Sequence, residues 1–229
     1  DNVLIETIEE VDIPVKFLTR RSDFNGTLIF QGETLSQNVV GANWDEENFL
    51  TDRLVLEEGS FENMENPQGI IISTDVADAL NVQLNERILV RLRTATGQQN
   101  VGDFTVAAIS YDPGLFGSMS AYANLEYVNS LLDLKPGEYM TLGIFLDDFY
   151  AIDESAEKLY NELNKKVDMF KRDAQQEEDR NPLASLFRQA DEEEWEGVRY
   201  RLMTLNDALS EVEQVVRILN NAGLIILLI

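Results

Sequence analysis

Few residues of this chain could do covalent chemistry. Ser155 and Lys158 match the S-x-x-K pattern of serine acyl-enzymes, in which a lysine lies one helical turn from the nucleophile. The S-D-N and K-T-G segments that accompany this pattern are absent. Two fixed residues recur easily by chance, and here they fall in the first turns of a charged helix. We therefore assign no catalytic and no cofactor-binding residue, and we expect a protein that is not an enzyme.

Metal chemistry would have to use carboxylates, because the chain contains neither histidine nor cysteine. These absences remove the commonest general base, the commonest zinc ligands and any disulfide. The acidic clusters at 147–154 and 191–196 could bind Ca²⁺, but neither has the spacing of an EF-hand. We expect the first to be a strand end with a helix cap and the second a solvated run. No metal ligand is assigned.

One basic face interrupts an acidic composition. The chain has 18 basic and 42 acidic residues, a formal charge of −24, which opposes nucleic acids and anionic lipids. Arg87, Arg91 and Arg93 alternate with apolar residues in RILVRLR, so they share one side of a predicted strand. This side could attract anions, but we expect it to pair with neighbouring carboxylates. The turn at 111–114 is at most a binding loop. No phosphate-binding glycine motif is present.

The elements that position these residues are mixed. A short amphipathic helix over 2–12 ends at Pro14, and strands follow at VKFL, GTLIF, QNVVGA and LVLEEGSF. A helix capped by Ser73 or Thr74, two strands, a helix over 124–134 and a strand over 139–146 come next. Asp153 is predicted to cap another helix, before an acidic stretch over 171–196. Elements mix without regular βαβ alternation, which favours an α+β fold.

The C-terminal segment has the pattern of a helix that enters a membrane. Thr204 and Asp207 form a capping-box pattern, and heptad spacing follows at Leu205, Val212, Val215 and Leu219. Charges end after Arg217, and the chain closes on NNAGLIILLI. The last eight residues cover roughly 12 Å of helix against a hydrocarbon core of ~30 Å. We predict the first two turns of a truncated transmembrane helix, with both chain ends cut from a longer protein.

A family resemblance rests on residues 54–134. The order is Glu58-Gly59-Ser60-Phe61, a strand and helix from Gly69 to Val82, a strand entered by Asn85-Glu86, and a strand from Phe104 to Ile109. This resembles the extracytoplasmic core domain of FtsX-family ABC transporter permeases of the MacB and LolC/LolE type. Asn85 stands where the family pattern has glycine, and asparagine tolerates a left-handed turn. Gly59, Gly69 and Asn85 are the turns that carry the pattern.

The resemblance implies a two-lobed domain flanked by stalk helices. A discontinuous porter-like lobe would comprise 1–62 and 138–203, with a stalk helix at 2–12. A small α/β lobe would be inserted at 63–137, and 204–229 would be a stalk helix entering the membrane. Mechanical coupling of cytoplasmic ATP hydrolysis to motion of this domain would run through four stalk residues, Leu205, Val212, Val215 and Leu219.

The implied function is that of a non-catalytic permease domain outside the cell membrane. Its partners would be a cytoplasmic ATPase subunit, a second permease in a homodimer or heterodimer, and a lipoprotein, peptide or small-molecule substrate. The flanking helices would contact the membrane, and nucleic acid would not bind. Two alternatives stay open at this point, namely a soluble acidic module that binds a basic partner and a metal-binding protein that uses carboxylates.

Overall fold

The computed structural model describes residues 2–94, 96–111, 120–172 and 198–207. The chain forms two compact units, one over 15–145 and the other from 1–14 together with 146–229. Helices and strands are both present, which confirms the expected mixed composition. The boundaries of these units differ from those of the predicted lobes. The assignment of 1–62 with 138–203, and of 63–137, to functional lobes stays a prediction.

The unit over 15–145 is built on one sheet. Its strands are β1 (Val15–Phe30), β2 (Glu33–Ala42), β3 (Val55–Gly59), β4 (Gly69–Ser73), β5 (Arg87–Arg93), β6 (Gln99–Tyr111), β7 (Ser120–Asn124) and β8 (Thr141–Leu146). The order is β2-β7-β4-β6-β5-β1-β8, with β3 beside β6. β1 also pairs with β2 in antiparallel register, so six strands close into a ring. The β2–β7 and β4–β6 pairs are parallel.

Two helices cover the core of this unit. They are α3 (Thr74–Leu80) and α4 (Leu125–Leu132), and both contact several strands of the ring. Leu28, Phe104 and Val106 are among the fully buried core residues. A Cβ atom at Gly41 in β2 would lie 2.7 Å from the Cβ of Val128 in α4. The missing side chain therefore lets α4 approach the sheet.

A second apolar cluster covers part of the other side of the sheet. Met64, Ile71, Ala107 and Ala108 form its buried centre. Side chains from the segment between β2 and β4 pack on it, including Trp44, whose ring centroid lies 6.1 Å from that of Phe61. That segment contains α2 (Asn48–Arg53) and a 3-10 turn at Phe61–Glu65. The part of the sheet near β5 lies outside this cluster.

The sequence prediction differs from the structure at three elements of this unit. VKFL and GTLIF belong to one strand of 16 residues, because Ser22 and Phe24 in the intervening segment continue the inward alternation. β7 was not predicted, since its buried residues are Ala121 and Ala123, which carry little hydrophobic signal. α2 was also not predicted. It is only six residues long and has no side-chain cap.

The second unit is helical in its described part. α1 spans Asn2–Glu10, a 3-10 turn spans Phe149–Ala151, and α5 spans Ile152–Lys166. Met169 and Tyr200 form an isolated parallel bridge, and residues 205–207 are helical. No helix within the described ranges is both long and apolar enough to cross a membrane. The apolar C-terminus and, apart from residues 171 and 172, the predicted acidic stretch over 171–196 lie outside these ranges.

The predicted N-cap of α5 is wrong. Ala151 occupies that position without a side-chain hydrogen bond, and Asp148 instead caps the preceding 3-10 turn by accepting a bond of 2.9 Å from the backbone nitrogen of Tyr150. Asp153 lies inside the first turn of α5. A carboxylate is favourable there because it faces the positive end of the helix dipole.

Candidate functional site

Ser155 and Lys158 do not form a catalytic pair. Ser155 is buried in α5, whereas Lys158 is exposed and its amine lies 2.7 Å from a carboxylate oxygen of Glu154. The hydrogen bond to Glu154 raises the pKa of Lys158 above its ordinary value. An activating lysine needs a lowered pKa, so the environment of Lys158 acts in the wrong direction.

The acidic cluster at 147–154 is dispersed by its local hydrogen bonds. Asp148 caps the 3-10 turn, Glu154 pairs with Lys158, and Asp153 accepts a bond of 3.1 Å from the side-chain amide of Asn206. Across the described residues, no group of three or more carboxylates lies close enough to hold a metal ion. The second cluster, at 191–196, lies outside them, as does most of the turn at 111–114.

The three turns that carry the family pattern have structural roles. Gly59 has a φ of 80°, and a Cβ there would lie 2.3 Å from the carbonyl oxygen of Ala107. Asn85 also has a positive φ, 65°, and its backbone nitrogen donates a bond of 2.8 Å to Val106. Asparagine therefore does occupy the left-handed turn expected of it. Gly69 is buried at the start of β4, where its backbone nitrogen donates to Asn66.

A polar junction in the helical unit joins the two predicted capping-box residues, Thr204 and Asp207, to residues that no sequence pattern marks. We call Arg172, Glu157, Asp207, Thr204 and Asn206 the Arg172 junction. The side chain of Arg172 is only 5% exposed, and its two terminal nitrogens lie 3.5 Å from Glu157 and 3.5 Å from Asp207. Arg172 thus links α5 to the helical turn at 205–207. No spacing pattern marks this arginine in the sequence.

The helical turn at 205–207 begins with the predicted capping box. The Thr204 backbone nitrogen donates to Asp207 at 2.8 Å, and the Asp207 backbone nitrogen donates to the Thr204 hydroxyl at 3.1 Å. This reciprocal pair satisfies two donors at the start of a helix. Leu205 is 54% exposed, whereas Val212, Val215 and Leu219 lie outside the described residues. Of the four predicted stalk residues, the structure therefore describes one.

α1 attaches to the same helix as the Arg172 junction. Lys166 at the end of α5 forms an ion pair with Glu10 at the end of α1. The Asp147 backbone nitrogen, just before the 3-10 turn, donates 2.9 Å to the carbonyl oxygen of Pro14. Ile8 is buried on the inner side of α1. The first helix of the chain and the turn at 205–207 are therefore both bound to α5.

Comparisons with known proteins bear on the fold. No family model matches the chain, and no curated protein sequence matches it. Among solved structures it is similar to the extracellular domain of the noncanonic ABC-type transporter YknZ from Gram-positive bacteria, with a TM-score of 0.50 and 16% identity. The alignment covers 71% of this chain and 81% of that domain. The two chains share a fold. The predicted resemblance to permease domains of this type is thereby confirmed at the level of fold.

Two further structures are similar over a comparable length. The periplasmic region of MacB from Actinobacillus actinomycetemcomitans has a TM-score of 0.47 and 14% identity, covering 70% of this chain and 72% of that one. A domain of a putative permease protein from Porphyromonas gingivalis has a TM-score of 0.42 and 17% identity, covering 69% and 68%.

Proposed function

We propose that this chain is the extracytoplasmic domain of an ABC transporter permease. The observation that carries the proposal is the fold shared with the extracellular domain of YknZ. In this role the domain performs no chemistry. A separate cytoplasmic ATPase subunit hydrolyses ATP, and the domain contacts substrate or a partner protein on the outer side of the cell membrane. Lipoproteins, peptides and small molecules are the candidate substrates, and the permease acts as a homodimer or heterodimer.

The Arg172 junction suits a mechanical role in such a permease. Motion of a membrane helix can reach a distant domain only through contiguous packed or hydrogen-bonded groups. α1 and the turn at 205–207 are the parts of the helical unit that a stalk would join, and both are bound to α5 by polar contacts. We propose that α1 and the segment 204–229 are the two stalk helices, with Leu205, Val212, Val215 and Leu219 along the second.

The first test concerns the full reading frame. The proposal requires an apolar span of about 20 residues before Asp1 and another that continues past Ile229. The full-length protein should fractionate with membranes and copurify with an ATPase subunit. A protease added outside right-side-out spheroplasts should release a fragment that contains this domain. A full-length protein that stays in the soluble fraction would contradict the proposal.

The second test concerns coupling through the Arg172 junction. In the reconstituted permease–ATPase complex, Arg172→Met should reduce substrate-stimulated ATP hydrolysis while basal hydrolysis is kept. Lys165→Met is the matched control, because Lys165 forms only an exposed ion pair with Glu162 on the same helix. Equal substrate stimulation of ATP hydrolysis in both variants would show that the junction takes no part in coupling. The proposal that the chain is a permease domain would be unaffected.

A further inference from the structure

Among the residues that the structure describes, the outer side of β5 forms a basic surface that the proposed function does not use. Burial alternates along this strand, with Ile88, Val90 and Leu92 directed into the core and Arg87, Leu89, Arg91 and Arg93 directed outward. β5 lies between β1 and β6 in the ring, and its central residues 89–91 are paired on both edges. Any partner must therefore recognise its side chains rather than add a strand to it.

The expected pairing of this face with neighbouring carboxylates is found at Arg87 but not at Arg91 or Arg93 within the described residues. Arg87 pairs with Asp103 on β6, with its Nε 3.1 Å from a carboxylate oxygen. Arg91 and Arg93 have no ion-pair partner among the residues that the structure describes. Side chains two residues apart on a strand share one side and stand about 7 Å apart. Two uncompensated guanidinium groups thus stand side by side in a chain whose formal charge is −24.

Apolar side chains adjoin these two arginines. Leu89 is 45% exposed on β5, and Val101, directly opposite Arg91 on β6, is 53% exposed. On the other flank, Thr27 of β1 is in register with Arg91. An open depression adjoins this row, and Thr27, Arg91 and Arg93 are among the residues that line it. We call the outward side chains Leu89, Arg91, Arg93 and Val101 the β5 face.

We propose that the β5 face binds a short acidic segment of a partner protein. Carboxylates of the segment would receive bidentate hydrogen bonds from Arg91 and Arg93, a geometry that the planar guanidinium group favours. Apolar side chains between those carboxylates would cover Leu89 and Val101. Charge complementarity favours this occupant because the face is locally basic. The face also exposes apolar side chains, which a purely ionic ligand would leave in contact with water.

Extended polyanions fit this surface less well. A nucleic acid or an anionic membrane presents negative charge over a wide area, and the strongly acidic remainder of this molecule would repel it. A short segment places only a few charges on the two arginines. The proposal holds whether or not the chain is a permease domain, since it uses only the residues of the β5 face.

A peptide-binding measurement tests the proposal. The probe is a fluorescein-labelled decapeptide in which glutamates alternate with serine and leucine, and its control has glutamine in place of each glutamate. Fluorescence anisotropy should report binding of the acidic peptide that weakens as salt is raised. The glutamine peptide should not bind. Absence of binding by the acidic peptide at low salt would overturn the proposal.

Variants locate the site. The double substitution Arg91→Gln with Arg93→Gln should weaken binding by about tenfold, and Leu89→Ser by about fivefold. Arg87→Gln is the matched control and should change affinity by less than about twofold, because Arg87 is already paired with Asp103. Unchanged binding in the double variant would overturn the proposal. So would arginine-dependent binding to phosphatidylserine vesicles at salt concentrations where the peptide does not bind, which would assign the face to lipid headgroups instead.

Discussion

Arg21 and Arg172 both meet carboxylates, but in different ways. In the unit over 15–145, Arg21 donates from Nε and Nη2 to the two oxygens of Glu47 at 2.6 and 2.8 Å, and the Glu47 side chain has no exposed surface. In the helical unit, Arg172 lies 3.5 Å from each of two carboxylates on different segments. Its Nε is buried and makes no hydrogen bond within the described part of the chain.

The difference separates a fixed contact from an adjustable one. Two hydrogen bonds hold the Arg21–Glu47 pair, and the bond to Glu47 raises the pKa of Arg21 above its ordinary value. Arg172 divides its charge between Glu157, which is 55% exposed, and the less exposed Asp207. Water can reach the exposed carboxylate of Glu157 and replace its long contact with Arg172 at little cost. A contact of this kind can shift when the turn at 205–207 moves, whereas the Arg21–Glu47 contact cannot.

The largest effect is expected at the fixed pair. Arg21→Met leaves the fully buried carboxylate of Glu47 without a partner, so the free energy of unfolding should fall by about 3–5 kcal/mol. Urea denaturation followed by tryptophan fluorescence measures it. The control is Arg20→Met, because Arg20 pairs with Glu46 at a partly exposed position. The double variant Arg21→Met with Glu47→Leu should recover most of the loss. If it does not, packing rather than charge explains the effect.

A smaller effect is expected at the Arg172 junction. Arg172→Met should lower the free energy of unfolding by about 1–2 kcal/mol, since its contacts are long and Glu157 is already solvated. Arg172→Lys should be nearly neutral, whereas Arg21→Lys should not, because lysine cannot make the two-point contact with Glu47. Urea denaturation of the four variants measures both differences. Equal losses at the two sites would remove the distinction between a fixed and an adjustable contact.

The capping box should give a local effect. Thr204→Ala removes the acceptor for the Asp207 backbone nitrogen and should destabilise the start of the helix by about 1 kcal/mol or less. Hydrogen exchange of the amides at 205–207 should accelerate, while amides of β6 keep their protection. Thr204→Ser retains the hydroxyl and is the matched control. Acceleration spread over β6 as well would mean that the helix start and the sheet unfold together.

The smallest effect on stability is expected at the exposed Glu154–Lys158 pair, with which the two arginine sites can be compared. The hydrogen bond from Lys158 lowers the pKa of Glu154. A lowered carboxyl pKa contributes stability above the ordinary pKa, and that contribution is lost as pH falls through the lowered value. Lys158→Gln should therefore return the pKa of Glu154 toward its ordinary value in a carbon-13 NMR titration. An unchanged pKa in this variant would show that Lys158 is not its cause.

Much of the fold follows from patterns that the sequence carries locally. Alternation in RILVRLR predicts β5, and the Thr204–Asp207 spacing predicts the capping box. A cap at Ser73 or Thr74 predicts the start of α3, and the structure has Ser73 there. β7 escapes prediction because Ala121 and Ala123 are buried by their position in the ring rather than by strong hydrophobicity. The closure of β1 on β2, β5 and β8 is also unpredicted, since strand pairing depends on contacts distant in sequence.

The candidate site was less predictable than the fold. The capping box was expected, but nothing about a single arginine before an acidic stretch indicates that its side chain is buried between Glu157 and Asp207. The β5 face was visible as an alternating pattern, yet the pairing of each arginine was not. Asp103 meets Arg87 because of the β5–β6 register, and that register leaves Arg91 opposite Val101.

The strand ring of residues 15–145 imposes an order on folding. β1 and β2 are joined by a tight turn at Gln31 and Gly32, both with positive φ, so this hairpin can form as soon as it is synthesised. β5 and β7 come much later in the chain, and topologies dominated by such distant pairings fold slowly. Before β5 and β7 pair with it, the hairpin has unpaired edges to which strands of other chains could bind. The formal charge of −24 opposes such association, because partly folded chains of like charge repel one another.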